Sequence, residues 1–315
     1  MRIFVAGASG ALGKQLVPRL VAGGHEVVGM TRSERGAELV RGMGARAAIA
    51  DALEPESVGR AVSEAGPEAI VHQLTALSGS LDPRHFDRDF AATNRLRTEG
   101  TDHLLAAARA AGVRRFVAQS YAGWPYARSG GPVKSEEDPL DPDPPEAFRR
   151  ALDAIRHLER AVSGCERVEG IVLRYGGFYG PGTSLSLDPV GEHVEAIRKR
   201  RFPIVGDGAG VWSFVHIADA AEATVAAVER GGAGILNVVD DDPAAVRAWL
   251  PYAAETFGAK PPRRVPRWLG RLLAGEAATV MMTEVRGASN ERAKRMLGWQ
   301  PRFASWRRGF AEGLG

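Results

Sequence analysis

The chain has 315 residues, 44% hydrophobic and 25% charged, with a formal net charge of +3. The 38 glycines follow no three-residue period and Cys165 is the single cysteine, so collagen, disorder and a disulfide scaffold are excluded. No apolar run reaches the roughly 18 residues that a membrane helix needs, and Met1-Arg2 leads straight into a strand-like run. A soluble protein of a reducing, cytoplasmic compartment is expected, with no membrane partner.

In chain order, Ile3 to Ala6 reads as a strand and Leu12 to Val21 as a helix. His25 to Met30 is the next strand, Arg35 to Met43 a helix, and Ala47 to Ala50 a third strand. A helix over Pro55 to Ala65 starts on a proline in its first turn, and Ala69 to Gln73 is a fourth strand. A long helix is expected from Phe90 to Ala111. Arg115 to Gln119, Gly170 to Arg174 and Ile235 to Val239 supply three more strands. Short apolar strands alternating with helices predict a parallel sheet covered on both faces.

Two stretches break the rhythm. Gly123 to Pro145 is rich in proline and acids, a long loop of the kind that forms lids and binding loops. Beyond about Gly180 the pattern becomes irregular and reads as a smaller lobe. The basic run Arg198-Lys199-Arg200-Arg201 ends a helix, where cations are favoured. It lacks interleaved aromatics, so no nucleic-acid partner is expected.

Gly7-Ala8-Ser9-Gly10-Ala11-Leu12-Gly13 lies between the first strand and the first helix. Glycines there permit a tight turn and bring backbone N–H groups to a pyrophosphate at a helix N-terminus. The end of the second strand, about 20 residues on, would carry an acid to bind the ribose 2′-OH of NAD. It carries Arg32 instead, and a guanidinium suits a 2′-phosphate. NADP(H) is the cofactor expected.

The G-x-x-G-x-x-G spacing resembles the short-chain dehydrogenase/reductase superfamily, and the chain as a whole resembles its extended branch of epimerases and dehydratases. The resemblance is carried by Asp51-Ala52, His72-Gln73-Leu74-Thr75-Ala76, Thr93-Asn94, and Gly112 to Val117. It continues in Leu173-Arg174-Tyr175 with Tyr179 to Gly182, Gly206-Asp207-Gly208 with Phe214-Val215-His216, and Leu297 to Pro301. It implies an α/β, Rossmann-type doubly wound sheet over residues 1–175, to which the strand near 235–239 returns. Residues 176–315 would form mainly the substrate-binding lobe, and a homodimer is a common assembly of such folds. Gly7, Ser9, Gly10, Ala11, Leu12 and Gly13 would hold the pyrophosphate. Asp51 and Ala52 would border the adenine, and Leu74, Thr75 and Ala76 the ribose nearer the nicotinamide. Asn94, Gln119, Tyr175, Gly176 and Gly177 would complete the cofactor contacts.

The family's Tyr-x-x-x-Lys pair is missing. Four residues after Tyr121, Tyr126, Tyr175, Tyr179 and Tyr252 stand Pro125, Gly130, Tyr179, Thr183 and Thr256, and the matching helix carries Phe148 and Leu152. The family's catalytic serine position falls on Tyr121, beside Ser120, so these two are the catalytic candidates. Tyr121 either donates a proton or a hydrogen bond to substrate, or forms an aromatic wall. A tyrosine without a neighbouring cation is a serviceable acid and a poor base, which favours reduction. Gly177 and Trp212 replace an amide and an arginine that sugar-nucleotide enzymes use. Trp124, Phe148, Phe178 and Trp212 are therefore read as a pocket for a flatter small molecule, or as packing between lobes. His72 sits at a strand end, either titrating or buried beside the cofactor. His157, Glu159 and His216 read as structural, and no spacing suggests a metal site. The leading function is an NADP(H)-dependent reductase of a small organic substrate. Alternatives are an epimerase or dehydratase using the nicotinamide transiently, and a redox-silent NADP(H)-binding sensor or scaffold.

Overall fold

The computed structural model describes residues 1–77 and 82–315. Seven parallel strands form the central sheet: β1 Arg2–Ala6, β2 Glu26–Thr31, β3 Arg46–Ile49, β4 Ala69–His72, β5 Arg115–Tyr121, β6 Glu169–Tyr175 and β7 Gly234–Val238. Their order is β7-β6-β5-β4-β1-β2-β3, so the winding reverses between β1 and β4. In such sheets ligands bind at that reversal, outside the carboxyl ends of the strands.

Strand alternation divides β1 between two cores. Ile3 and Val5 face a cluster with Leu12, Leu16 and Leu20 of α1 (Ala11–Ala22) and with Ala220 and Ala227 of α8 (Ile217–Arg230). Phe4 and Ala6 face the other, with Val58 and Val62 of α3 (Pro55–Ala65), Leu104 of α5 (Thr101–Ala110), and Leu158 of α6 (Glu146–Ser163). Both faces are dry, which is why the strands read as continuous apolar runs.

Three features differ from expectation. The long helix begins earlier, as α4 (Phe86–Arg95), and is broken by a π-turn at Leu96–Gly100 before α5. The loop over 123–145 is pinned rather than free. Tyr126 is fully buried and donates to Asn237 Oδ1 at 2.7 Å, and Arg128 bridges Asp141 and Glu284. The C-terminal half is also shared: α8 and α11 (Glu291–Leu297) pack on the sheet together with β7. The second lobe's own core is built around Trp249 of α9 (Val246–Thr256) and Trp306 and Phe310 of α12 (Trp306–Glu312). Its remaining helices are α7 (Glu192–Arg198), at whose C-terminus the basic run begins, and α10 (Arg267–Thr283).

Candidate active site

The turn from β1 into α1 has no room for a side chain at Gly7 or at Gly13. Gly7 sits at φ +94°, a conformation glycine adopts without cost, and a Cβ there would lie 2.9 Å from the Gln73 carbonyl oxygen. A Cβ on Gly13 would lie 2.4 Å from the carbonyl oxygens of both Gly7 and Ala8. The helix that follows has no side-chain N-cap and no acid in its first turn, so its leading N–H groups stay open to an anion.

This turn forms one wall of a cleft of about 730 Å3. Gly7, Ser9, Gly10, Ala11, Leu12 and Gly13 line it, with Arg32 on the wall beyond β2 and Leu74, Thr75 and Gln119 at the strand ends. Arg32 is exposed and makes no ion pair among the described residues. Phe178 closes the far side, with Thr183, Ser184, Glu192 and His193 from the second lobe. Those four were not singled out from the sequence, although the Tyr179 to Gly182 turn leads directly into Thr183 and Ser184; Glu192 and His193 open α7. Gln73 is a further wall residue; its Oε1 is buried without a hydrogen-bond partner and its amide reaches the Tyr175 hydroxyl at 3.3 Å. A dinucleotide fits these residues: a turn with no Cβ at Gly7, Gly10 and Gly13, an uncapped helix end, a cation on the wall without an ion pair among the described residues, and an unsatisfied amide oxygen.

Other expected cofactor contacts lie elsewhere. Asp51 turns back to accept from the Leu53 N–H at 2.9 Å, and Ala52 is buried against Gly100. The Ala76 N–H donates to Thr93 Oγ1 at 3.0 Å, and Asn94 follows on α4, its Oδ1 buried and unpartnered. None of these four lines the cleft. Tyr175 needs correction: it is 1% exposed, in the sheet core, with its hydroxyl against Thr224 Oγ1 at 2.7 Å and its acidity suppressed by burial. Gly176 and Gly177 also depart from expectation. They run beside Phe214, the Gly177 N–H donating to the Ser213 carbonyl at 2.8 Å, and a Cβ on Gly176 would lie 2.7 Å from that oxygen.

At the end of β5 the alternation separates the two catalytic candidates. Ser120 points to the buried side, where its hydroxyl donates to Glu159 Oε1 at 2.7 Å. Glu159 is held from the other side by Arg174, through both Nε and Nη2, at 2.7 and 2.6 Å. Ser120 therefore belongs to a buried ion-pair network and not to a reaction centre. Tyr121 is half-buried and carries a phenol pushed up to about 12 by burial, an effect that the nearby Arg97 opposes. At neutral pH it is a hydrogen-bond donor. His72 is buried, its imidazole lowered to about 4 by desolvation, with Nε2 3.1 Å from Thr101 Oγ1; it packs and does not titrate near neutrality.

The four aromatic residues read as one substrate pocket are dispersed. Phe148 is 1% exposed, its ring centroid 4.9 Å from that of Trp124, in a closed cluster with Phe90, Leu152 and Ile155. The place of the missing Tyr-x-x-x-Lys pair is thus filled by core. Trp212 packs against Trp249 at 5.0 Å and donates its indole N–H to the Met281 carbonyl at 2.7 Å. Phe178 alone of the four lines the cleft. Tyr121 adjoins the Trp124 cluster, with ring centroids 6.3 Å apart.

The model of the NAD dependent epimerase/dehydratase family matches residues 3–238. A 3-diazoavenalumate denitrifying reductase of a Streptomyces species is 46% identical over 98% of this chain and 99% of its own length. A ketoreductase of Stigmatella aurantiaca, acting on a farnesylated dihydroquinoline oxide, is 30% identical over 82% of this chain and 74% of its own. Among solved structures, a UDP-glucose 4-epimerase of Thermotoga maritima superposes with a TM-score of 0.77 at 23% identity, covering 100% of this chain and 97% of its own.

Proposed function

The chain belongs to the NAD dependent epimerase/dehydratase family, and from that premise we propose that it is an NADP(H)-dependent reductase that removes dinitrogen from an arene diazo group. The observation that carries the reading is the apolar core standing where a proton-relay pair would be. Reducing a ketone requires a proton for the nascent alkoxide. Reducing an arenediazonium does not: a bound reduced nicotinamide would supply hydride to the ring carbon as the carbon–nitrogen bond breaks, and neutral N2 would be the leaving group. A full-length relative named for denitrifying reduction supports the same chemistry.

The chain's own residues then bind and orient. The turn from Gly7 to Gly13 receives the pyrophosphate, Arg32 pairs with a 2′-phosphate, and Phe178 with Thr183, Ser184 and His193 closes the cleft against water. Tyr121 presents a neutral phenol at the strand end.

The test is single-turnover NADPH oxidation with a hydroxyarenediazonium and, separately, with an aryl ketone of the same size. Deuteride transferred from labelled cofactor to the ring carbon, with one N2 released per cofactor, is the expected result. Reduction of the ketone alone overturns the diazo assignment, and turnover of a sugar nucleotide without net NADPH oxidation favours an epimerase.

A further inference from the structure

Among the described residues, Arg97 is a buried cation near Tyr121 that no carboxylate pairs with directly. It sits in the π-turn between α4 and α5, 5% exposed, and makes no hydrogen bond or ion pair among the described residues. Its Nη1 is wholly buried without a partner. Glu159 is close enough to interact with it, but that carboxylate already accepts from Ser120 and, at both oxygens, from Arg174. One carboxylate thus faces two guanidiniums, and a net positive charge stays in a dry environment. An isolated buried charge is among the costliest features a fold can carry. Desolvation lowers Arg97 to about 10, so it nonetheless remains charged at neutral pH.

Two neighbouring features define what would complete it. Tyr121 is half-buried and its hydroxyl makes no hydrogen bond among the described residues. Beyond it lies an aromatic cluster whose buried Trp124 stands 6.3 Å from Tyr121 and 5.7 Å from Phe86, ring centre to ring centre, with Tyr121 and Phe86 half-buried at its edge. Arg97 is not among the residues that line the 730 Å3 cleft. We propose that Arg97, with Tyr121 beside it, is the receptor for an anionic oxygen carried on the substrate's aromatic ring, a phenolate or a ring carboxylate. Naming this ligand the substrate rests on the reductase reading; the anion site itself does not. The guanidinium neutralises the oxyanion, the Tyr121 phenol donates to it, and the ring lies against the partly exposed faces of Tyr121 and Phe86. π-turns inside α-helices concentrate at functional sites, and this one turns Arg97 inward.

Three probes of one shape test it on the full chain saturated with NADP+: 4-nitrophenol, 4-nitrobenzoate and 4-nitroanisole. At a pH below the phenol's own pKa, wild-type protein is expected to bind nitrophenol in its coloured phenolate form. Arg97→Met should lose the colour and weaken binding by about 10- to 100-fold, the range for a charge-assisted hydrogen bond. The variant should melt no lower than wild type, because it removes an unpaired buried charge; an arginine serving only the fold would leave probe binding unchanged and lower the melting temperature. Displacement of the colour by nitrobenzoate assigns the site to carboxylates as well, and failure to displace restricts it to phenolates. Nitroanisole binding as tightly as nitrophenol overturns the proposal in wild-type protein, whether or not the variant folds. A protein that binds the phenolate through Arg97 yet never oxidises NADPH keeps the anion site and loses the reductase reading.

Discussion

Arg32 and Tyr121 carry the residue-scale consequences. Arg32 lies exposed on the cleft wall and forms no ion pair among the described residues, so a 2′-phosphate would find a free guanidinium. Arg32→Ala should weaken NADPH by about 10- to 100-fold and NADH by less than about twofold, measured by calorimetric titration of both cofactors. Equal losses would mean that Arg32 is only a solvated residue. Tyr121 has its phenol at about 12, protonated throughout the working range. Loss of a general acid typically costs about 10²- to 10⁴-fold. Diazo reduction needs no such acid, so Tyr121→Phe should lower kcat by less than about tenfold, with no alkaline limb near neutrality in either protein. A collapse in kcat would restore the proton-donor role. Ser120 shows the limit of reading a motif by register: one residue along a strand exchanges the site for the core.

The glycine turn and α6 are the elements that decide what can occur in the cleft. The turn from Gly7 to Gly13 is legible as sequence because its requirements are local, a positive φ and no Cβ. The α6 helix is legible as amphipathic, but its role is not. Phe148, Leu152 and Ile155 form the cluster that also holds Phe90 and Trp124, from α4 and from the loop after β5. Those partners are brought in by the chain's path and by no local pattern. Phe148→Ala should destabilise the fold by about 3–5 kcal/mol, the usual cost of emptying an aromatic core position, while leaving NADPH affinity unchanged. Denaturant melts with a parallel cofactor titration separate the two; a selective loss of cofactor or substrate binding at unchanged stability would return Phe148 to the pocket.

Across the whole molecule, the junction between the sheet and the C-terminal lobe is polarised by Asp240. It follows β7, is 1% exposed, and has an Oδ2 with no partner. Burial raises its carboxyl from 3.8 to about 8. Because the folded value lies above the unfolded one, Asp240 contributes stability that is full below about pH 4 and lost as pH rises through about 8. His72 has the opposite sign: its lowered imidazole contributes stability above 6.5 that is lost as pH falls through about 4. Asp240→Asn should therefore flatten the decline in melting temperature between about pH 4 and pH 8 and leave the limb below pH 4 intact. An unchanged slope across that window would show that Asp240 is solvated or paired.

By itself the sequence determined the sheet, the glycine turn, the cation beyond β2 and the missing Tyr-x-x-x-Lys pair. Each is written in neighbouring residues or in a fixed spacing, where periodicity and backbone sterics act. Tertiary structure alone decided which face Ser120 and Tyr121 take, that Tyr175 is core, and that Trp124, Phe148, Phe178 and Trp212 part company. It also decided that Arg97 is buried near Tyr121 with no hydrogen bond or ion pair among the described residues. Burial and charge pairing are properties of residues distant in the chain and close in space, so a one-dimensional pattern can rank such candidates but cannot bring them together.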